Sequence, residues 1–260
     1  MISKIQIAGL LSAMIVSVFS HGVLAQQSKG KILRVATSAD FPPFTWVEKG
    51  KQVGYDPAVI NAVAERLGYS VKWYTGDFSS LFGQLDSGRV DTVAHQISVT
   101  PQREKKYIFS EPYEYSGEVL VVKKDNTSIK GFDDLTGKRV GVGFGTAHEQ
   151  SLRQVAKGQD IEIKIFETDP VSEINEVVLG RVDAYFNGSV ISAVTLAKTG
   201  QPARILAAPS SYQRVAFPFA KTPKGEALQK AFNEQLQALQ DDGTLKKLSL
   251  QWLKVDVTHH

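Results

Sequence analysis

VKWYTGDFSSLFGQLDSGRVD, residues 71–91, is written a second time as IKIFETDPVSEINEVVLGRVD, residues 163–183. The copies align without a gap at an offset of 92, and seven of 21 positions are identical, the closing GRVD among them. Each opens on a strand-like run, turns, continues at helical spacing to a glycine, and starts another strand. Gly88 and Gly180 read as helix C-caps, but caps leave the matching flanks unexplained. Two related α/β units explain them; two copies are too few for a solenoid.

The flanking sequence agrees. ILRVATS, EVLVVKK, KRVGVG and ARILAA are further strand-like runs rich in β-branched residues. DPAVINAVAERLG reads as an amphipathic helix with Asp56 as N-cap, Pro57 at the first helical position and Gly68 past its end. Leu228, Phe232, Leu236 and Leu239 set out a second apolar face near the C-terminus. Alternating strands and helices imply α/β lobes with parallel-rich sheets. Open α/β sheets bind ligands beyond the carboxyl ends of their strands. Two such lobes, facing each other, share a cleft. The strand after the first GRVD ends there at His95, Gln96 and Ile97, and its counterpart at Asn187 and Gly188.

The chain has 260 residues, 42% hydrophobic and 22% charged, a globular composition. A scattered net charge of +3 gives no reason to expect nucleic acid as a partner. The absence of cysteine removes disulfides, thiolate metal sites, cysteine nucleophiles and the lipid-bearing cysteine of a bacterial lipoprotein. Lys4 precedes an apolar run too short for a comfortable membrane span, and Val23 and Ala25 are the small residues of a cleavage site. Residues 1–25 are therefore expected to be a cleaved signal peptide, and the chain periplasmic.

Thr100 and Pro101 open a short helix that carries Arg103 in its first turn, where a cation is unfavourable without an anionic partner. The guanidinium suits either a ligand carboxylate or a nearby surface acid such as Glu104 or Glu111. RVGVGFGTAHEQ follows a strand and opens a helix with a Thr146–Glu149 capping box. Its G-x-G-x-G spacing is not that of a dinucleotide site. A small anion at the helix N-terminus needs less, and Thr146 would then face Arg103 across the cleft. Phe41 and Phe78 follow strands at the cleft side, positioned either to hold a ligand side chain or to cap the core. Phe44 and Trp46 read as packing. Of five histidines only His95 is expected in the cleft, His148 being placed inside the capped helix. No HExxH or GxSxG pattern points to an enzyme.

Together, SADFPPF, VGYDPAVINAVAERLG, GQLDSGRVDTVAHQISVTPQREKKYIFSEPYEYSG, DLTGKRVGVGFGT, GRVDAYFNG and LQDDGTLKKLSLQWLKVDVT resemble the polar amino-acid-binding proteins of ABC importers, extracellular solute-binding family 3. QISVTPQREKKYIFSEPY, VGVGFGT and WLKVDVT are most similar to the cystine-binding branch. The resemblance implies a periplasmic binding protein type II fold, two α/β lobes joined by crossover strands near 116–119 and 209–212. The lobes would be 31–116 with 211–257, and 117–210. It implies that Arg103 grips the ligand carboxylate with Ser98 and Thr146, that Phe41 and Phe78 sandwich the ligand, and that backbone near Gln96 meets the amine. It further implies an inner-membrane ABC permease as partner, a monomer, and no cofactor.

The sequence departs from the family at one position. The aspartate that binds the ligand ammonium in relatives is Gly188 here. Either Asn187, His95 or Asp40 substitutes for it, or the ligand's amine is blocked or absent. A dehydratase acting on cyclohexadienyl acids is the enzymatic alternative, but Glu173, its candidate acid, reads as solvent-facing. A sensory module is a third reading.

Overall fold

The computed structural model describes residues 30–167, 169–206 and 211–259. The expected signal peptide and residues 209–210 of the second crossover lie outside them. Strand β1 (Lys31–Thr37) leads into a small ribbon, β2 (Asp40–Phe41), β3 (Thr45–Glu48) and β4 (Lys51–Val53). Then come α1 (Tyr55–Arg66), β5 (Tyr69–Thr75), α2 (Phe78–Asp86), β6 (Thr92–Val93), α3 (Pro101–Lys106) and β7 (Tyr107–Phe109). The long β8 (Glu114–Lys123) is followed by β9 (Arg139–Gly143), α4 (Ala147–Val155), β10 (Glu162–Phe166), α5 (Pro170–Val178), β11 (Ala184–Gly188), α6 (Ser189–Thr199) and β12 (Ala203–Ile205). The chain closes with β13 (Tyr212–Val215), β14 (Pro218–Ala220), α7 (Pro223–Asp241) and α8 (Thr244–Leu253).

Two sheets organise these elements. The first runs β5-β1-β6, all parallel. The second runs β10-β9-β11-β8-β12, with β8 antiparallel to its neighbours. Strand β8 serves two partners along its length. Its first residues pair with β13, from Glu114↔Val215 to Gly117↔Tyr212, while Glu118 onward pairs with β11. Ser98 bridges to Val215, so the returning chain is stitched back beside the end of the first sheet's cavity-facing segment.

The cores follow the periodicity. Ile60, Val63 and Ala64 of α1 are buried with Leu33, Phe44 and Phe217, and Leu228, Phe232, Leu236 and Leu239 of α7 join the same cluster. Leu120, Val140, Val142, Leu152 and Phe186 form a separate cluster on the second sheet. Phe44 is fully buried, and Trp46 packs edge-on against Trp252, so both serve packing.

The repeated GRVD has a structural purpose beyond its glycine. Asp91 accepts from the backbone N–H of Arg34 (2.9 Å), its Nε (3.1 Å) and its Nη2 (2.7 Å), while Arg34 Nη1 donates to the Gly88 carbonyl (2.8 Å). Asp183 repeats the arrangement on Arg139, at 2.8 Å to the backbone N–H, 3.1 Å to Nε and 3.0 Å to Nη2, with Gly180 as the carbonyl acceptor. Gly88 and Gly180 both have positive φ, 68° and 70°, as C-cap glycines do. Each clamp thus ties a helix end and the start of the next strand to a neighbouring strand, at Arg34 within β1 and at Arg139, the first residue of β9. Burial pushes the Asp91 carboxyl up, but its bonds to Arg34 and Lys224 outweigh that and hold it below the usual range. Removing it in Asp91→Ala takes the acceptor from the Arg34 backbone N–H, from its Nε and Nη2, and from Lys224. The expected cost is about 2–3 kcal/mol in urea denaturation. Asp183→Ala is expected to cost less, because that pair is more exposed.

Asp56 does not cap α1 as expected. The helix starts two residues earlier, with Gly54 at the cap, and Asp56 is fully buried within the first turn. Its carboxylate is taken by distant donors, the backbone N–H of Gln96 at 2.5 Å and the Tyr113 hydroxyl at 2.9 Å. Asp56 therefore pins the strand end that bears Gln96.

Candidate functional site

A cavity is lined by the ends of both sheets. Phe41, Phe78, His95, Gln96, Ser98 and Arg103 come from the first part of the chain, and Thr146 and Asn187 from the second. All eight residues singled out in the sequence thus line one space. His148, Glu173 and Tyr185 line it too.

Arg103 is 8% exposed. Its position is set locally: Thr100 accepts from the Arg103 backbone N–H at 3.2 Å and caps the six-residue α3. Its Nη1 donates to the Ser98 carbonyl at 2.8 Å and its Nη2 to the Gly145 carbonyl at 3.3 Å, and the guanidinium lies 5.0 Å from the Phe82 ring centre. Burial pulls its pKa down to about 10. Neither surface acid offered as its partner is one: Glu104 reaches toward Arg214 instead, and among the described residues no carboxylate pairs with Arg103. The site thus holds a desolvated cation satisfied by neutral carbonyls, an arrangement that favours an incoming anion. Ser98 contributes through its carbonyl. Thr146 accepts from the Glu149 N–H at 3.1 Å and donates to the Gly143 carbonyl at 2.8 Å, so its hydroxyl serves the cap of α4. The Glu149 carboxylate completes the cap on the N–H of Gly145, one residue before the box position expected. The residue beside Arg103 across the cavity is Gly145, through its carbonyl.

The aromatic wall already contains a third ring. His95 stacks on Phe41, with centres 4.6 Å apart and planes 12° apart, and lies tilted 5.2 Å from Phe78. Its Nε2 bonds the Ser38 hydroxyl at 2.9 Å, and burial pushes its pKa down to about 4, so it is a neutral wall at physiological pH. Phe41 and Phe78 are half-buried and pack on the core as well as lining the cavity.

The expected amine partners fare differently. Asp40 is exposed and does not line this cavity. The Gln96 N–H is spent on Asp56, and its side-chain amide donates to Glu114 at 2.7 Å. Asn187 donates to the Tyr185 hydroxyl and accepts from the Gly188 N–H at 2.8 Å, and Tyr185 donates to Glu173.

Two expectations are overturned. Glu173 is not solvent-facing but 2% exposed, and burial raises its pKa to about 8. His148 is not merely interior to its helix; it lines the cavity, and burial pushes its pKa down. A signal for His148 was available: it precedes buried Leu152 by four residues and shares its helix face.

Behind Gln96 lie two fully buried carboxyl groups. Burial raises Asp56 to about 7, and burial with the neighbouring Asp56 raises Glu114 to about 8. Both bind protons more tightly folded than unfolded, where they titrate near 4. The folded state holds more protons between about pH 4 and 8, so stability falls as pH rises through that window. Glu114→Gln retains an oxygen for Gln96 and removes one titration. It is expected to exceed the parent's stability by about 1–3 kcal/mol at pH 8 and to match it near pH 4.5, by urea denaturation at both pH values.

Known proteins resemble this chain along nearly its whole length. It is 38% identical over 252 residues to the probable amino-acid-binding protein YxeM of Bacillus subtilis, covering 97% of this chain and 94% of that one. It is 33% identical to the L-cystine-binding protein TcyJ of Escherichia coli, covering 96% and 93%. A solved structure describing glutathione import via GshT and the cystine ABC importer TcyBC of Streptococcus mutans superposes with a TM-score of 0.81 at 29% identity, covering 89% of this chain and 98% of that one. The periplasmic binding protein type II fold is therefore shared, and residues 33–255 match the bacterial extracellular solute-binding proteins, family 3, to which this chain belongs.

Proposed function

We propose that the chain is an exported receptor of an ABC importer. It captures a small amino acid or amino-acid derivative by a carboxylate and delivers it to the permease. Arg103, buried in the cavity wall with only neutral carbonyls as partners, carries this reading. The family supports it, as do relatives named as amino-acid- and cystine-binding proteins. Such relatives work outside the cytoplasm, which agrees with the signal sequence expected at residues 1–25. The lobes would be 31–116 with 211–257, and 117–210. The split pairing of β8 supports a hinge near Gly117. Arg103 on one lobe and Thr146 on the other both line the cavity, so a shared ligand would favour the closed arrangement. A monomer suffices for this task.

A thermal-shift screen of the purified mature protein tests the reading. It uses free amino acids including L-cystine, N-substituted derivatives and deaminated acids. A carboxylate-bearing compound is expected to raise the melting temperature by mass action. No shift with any carboxylate would sink the assignment. One observation favours a second reading: Glu173, protonated at neutral pH by burial, is the type of group that acid-catalysed elimination uses. Incubation with a cyclohexadienyl acid is expected to leave it unconverted; turnover lost in Glu173→Gln would establish the enzyme.

A further inference from the structure

The cavity contains a buried cation and a buried carboxyl group, neither of which faces a side chain of opposite charge among the described residues. Arg103 is the cation. On the other part of the chain Glu173 is buried, lines the same cavity, and has no basic side chain bonded to it among the described residues. Its Oε1 is buried with no hydrogen-bond partner among the described residues.

The bonds around it are polarised in one direction. The Gly188 N–H donates to Asn187 Oδ1, Asn187 Nδ2 donates to the Tyr185 oxygen, and the Tyr185 hydroxyl donates to Glu173 Oε2. Each donor thus faces toward the carboxyl group, which leaves Oε1 as its one unpartnered oxygen, and an arriving cation would draw the group into its ionised form against the effect of burial. A buried carboxylate in that condition is stabilised by a cation.

The space beside Gly188 is already occupied. A Cβ on Gly188 would lie 2.9 Å from the Ser116 hydroxyl and 3.7 Å from His148 Nε2. A side chain there would have to shift the Ser116 hydroxyl and would lie against His148.

We propose that Glu173, supported by Tyr185 and Asn187, is the site for the ligand's α-ammonium, and that the substrate class is a zwitterionic α-amino acid with a free amine. The inference rests on the receptor reading above. It selects within that reading, against amine-blocked and amine-less acids. A zwitterion compensates Arg103 and Glu173 together without adding net charge to the cavity. The stacked Phe41–His95 face supplies a neutral wall for the rest of the ligand.

Calorimetric titration of the purified mature chain tests it, with L-cystine, the twenty standard amino acids and the N-acetyl form of each as probes. At least one free amino acid is expected to bind, with its N-acetyl form at least tenfold weaker. Glu173→Gln keeps the side chain's size and its bond to Tyr185. It is expected to weaken the free amino acid by about 10- to 100-fold and the N-acetyl form by less than threefold. Arg103→Met is expected to weaken both forms. Equal losses for both forms in Glu173→Gln, or no loss, overturn the inference and leave the receptor reading standing. Preferential binding of N-acetyl forms overturns it as well. Binding by no probe defeats both. If Glu173→Gln fails to fold, Tyr185→Phe removes the supporting hydroxyl and is expected to narrow the free-to-acetyl preference by about 3- to 10-fold; an unchanged preference overturns the inference.

Discussion

Arg103→Met is expected to reduce affinity for the carboxylate ligand at least 100-fold while the protein still folds. The guanidinium can offer a carboxylate two charge-assisted bonds, each worth about 1.5–3 kcal/mol, and 1.4 kcal/mol corresponds to tenfold in affinity. Methionine retains most of the buried volume, so Phe82 keeps a neighbour. The folded state gives up a desolvated cation and its bonds to the Ser98 and Gly145 carbonyls, opposing effects of similar size. The melting temperature is therefore expected to move by less than about 4 °C. Calorimetry and a thermal melt on the same preparation check both halves. Wild-type affinity in the variant would remove Arg103 from the site.

Gly54→Ala is expected to be the more damaging change to the fold, although Gly54 touches no ligand-facing group. Gly54 has φ 122° and ψ −178°, a region essentially restricted to glycine. A Cβ there would lie 2.3 Å from the Phe44 carbonyl oxygen and 2.7 Å from its carbon, both backbone atoms. Two hydrogen bonds fix that approach, Tyr55 N–H to the Pro43 carbonyl (3.1 Å) and Asp56 N–H to the Phe44 carbonyl (3.0 Å). Relief requires the ribbon and α1 to separate, which moves Asp56 away from Gln96. The expected loss is about 3–5 kcal/mol in urea denaturation, with weaker ligand binding in whatever folds. A midpoint within experimental error of the parent would show that the close approach is dispensable.

Much of this could be read from the chain, for reasons that differ by residue. The repeat gave the two sheets because strand and helix periods are local properties. Ile60, Val63 and Ala64 are buried as their spacing requires. The cavity residues were found because strand ends and helix N-termini converge in α/β architecture. Partners far apart in sequence were not legible. Asp56 reads as a cap, and only the folded chain brings Gln96, forty residues away, to its carboxylate. Arg34 and Asp91 are separated by 57 residues, and nothing in GRVD alone names Arg34. Glu173 reads as solvated because a charged residue in an amphipathic helix usually is. It stands one residue before buried Ile174 and four before buried Val177, so the helix turns it inward toward Tyr185.

The two Arg–Asp clamps each close within a single sheet, Arg34 with Asp91 on one and Arg139 with Asp183 on the other. In the closure proposed above, neither circuit opens. Repeated capture and release therefore draws on neither of these bidentate ion pairs. The bond that a ligand carboxylate would replace is a marginal one, the 3.3 Å contact from Arg103 to the Gly145 carbonyl, and the charge-assisted bond that takes its place is stronger. A receptor assembled this way resists fatigue: its strongest bonds are static frame, and its moving joint is made from bonds weak enough to be exchanged.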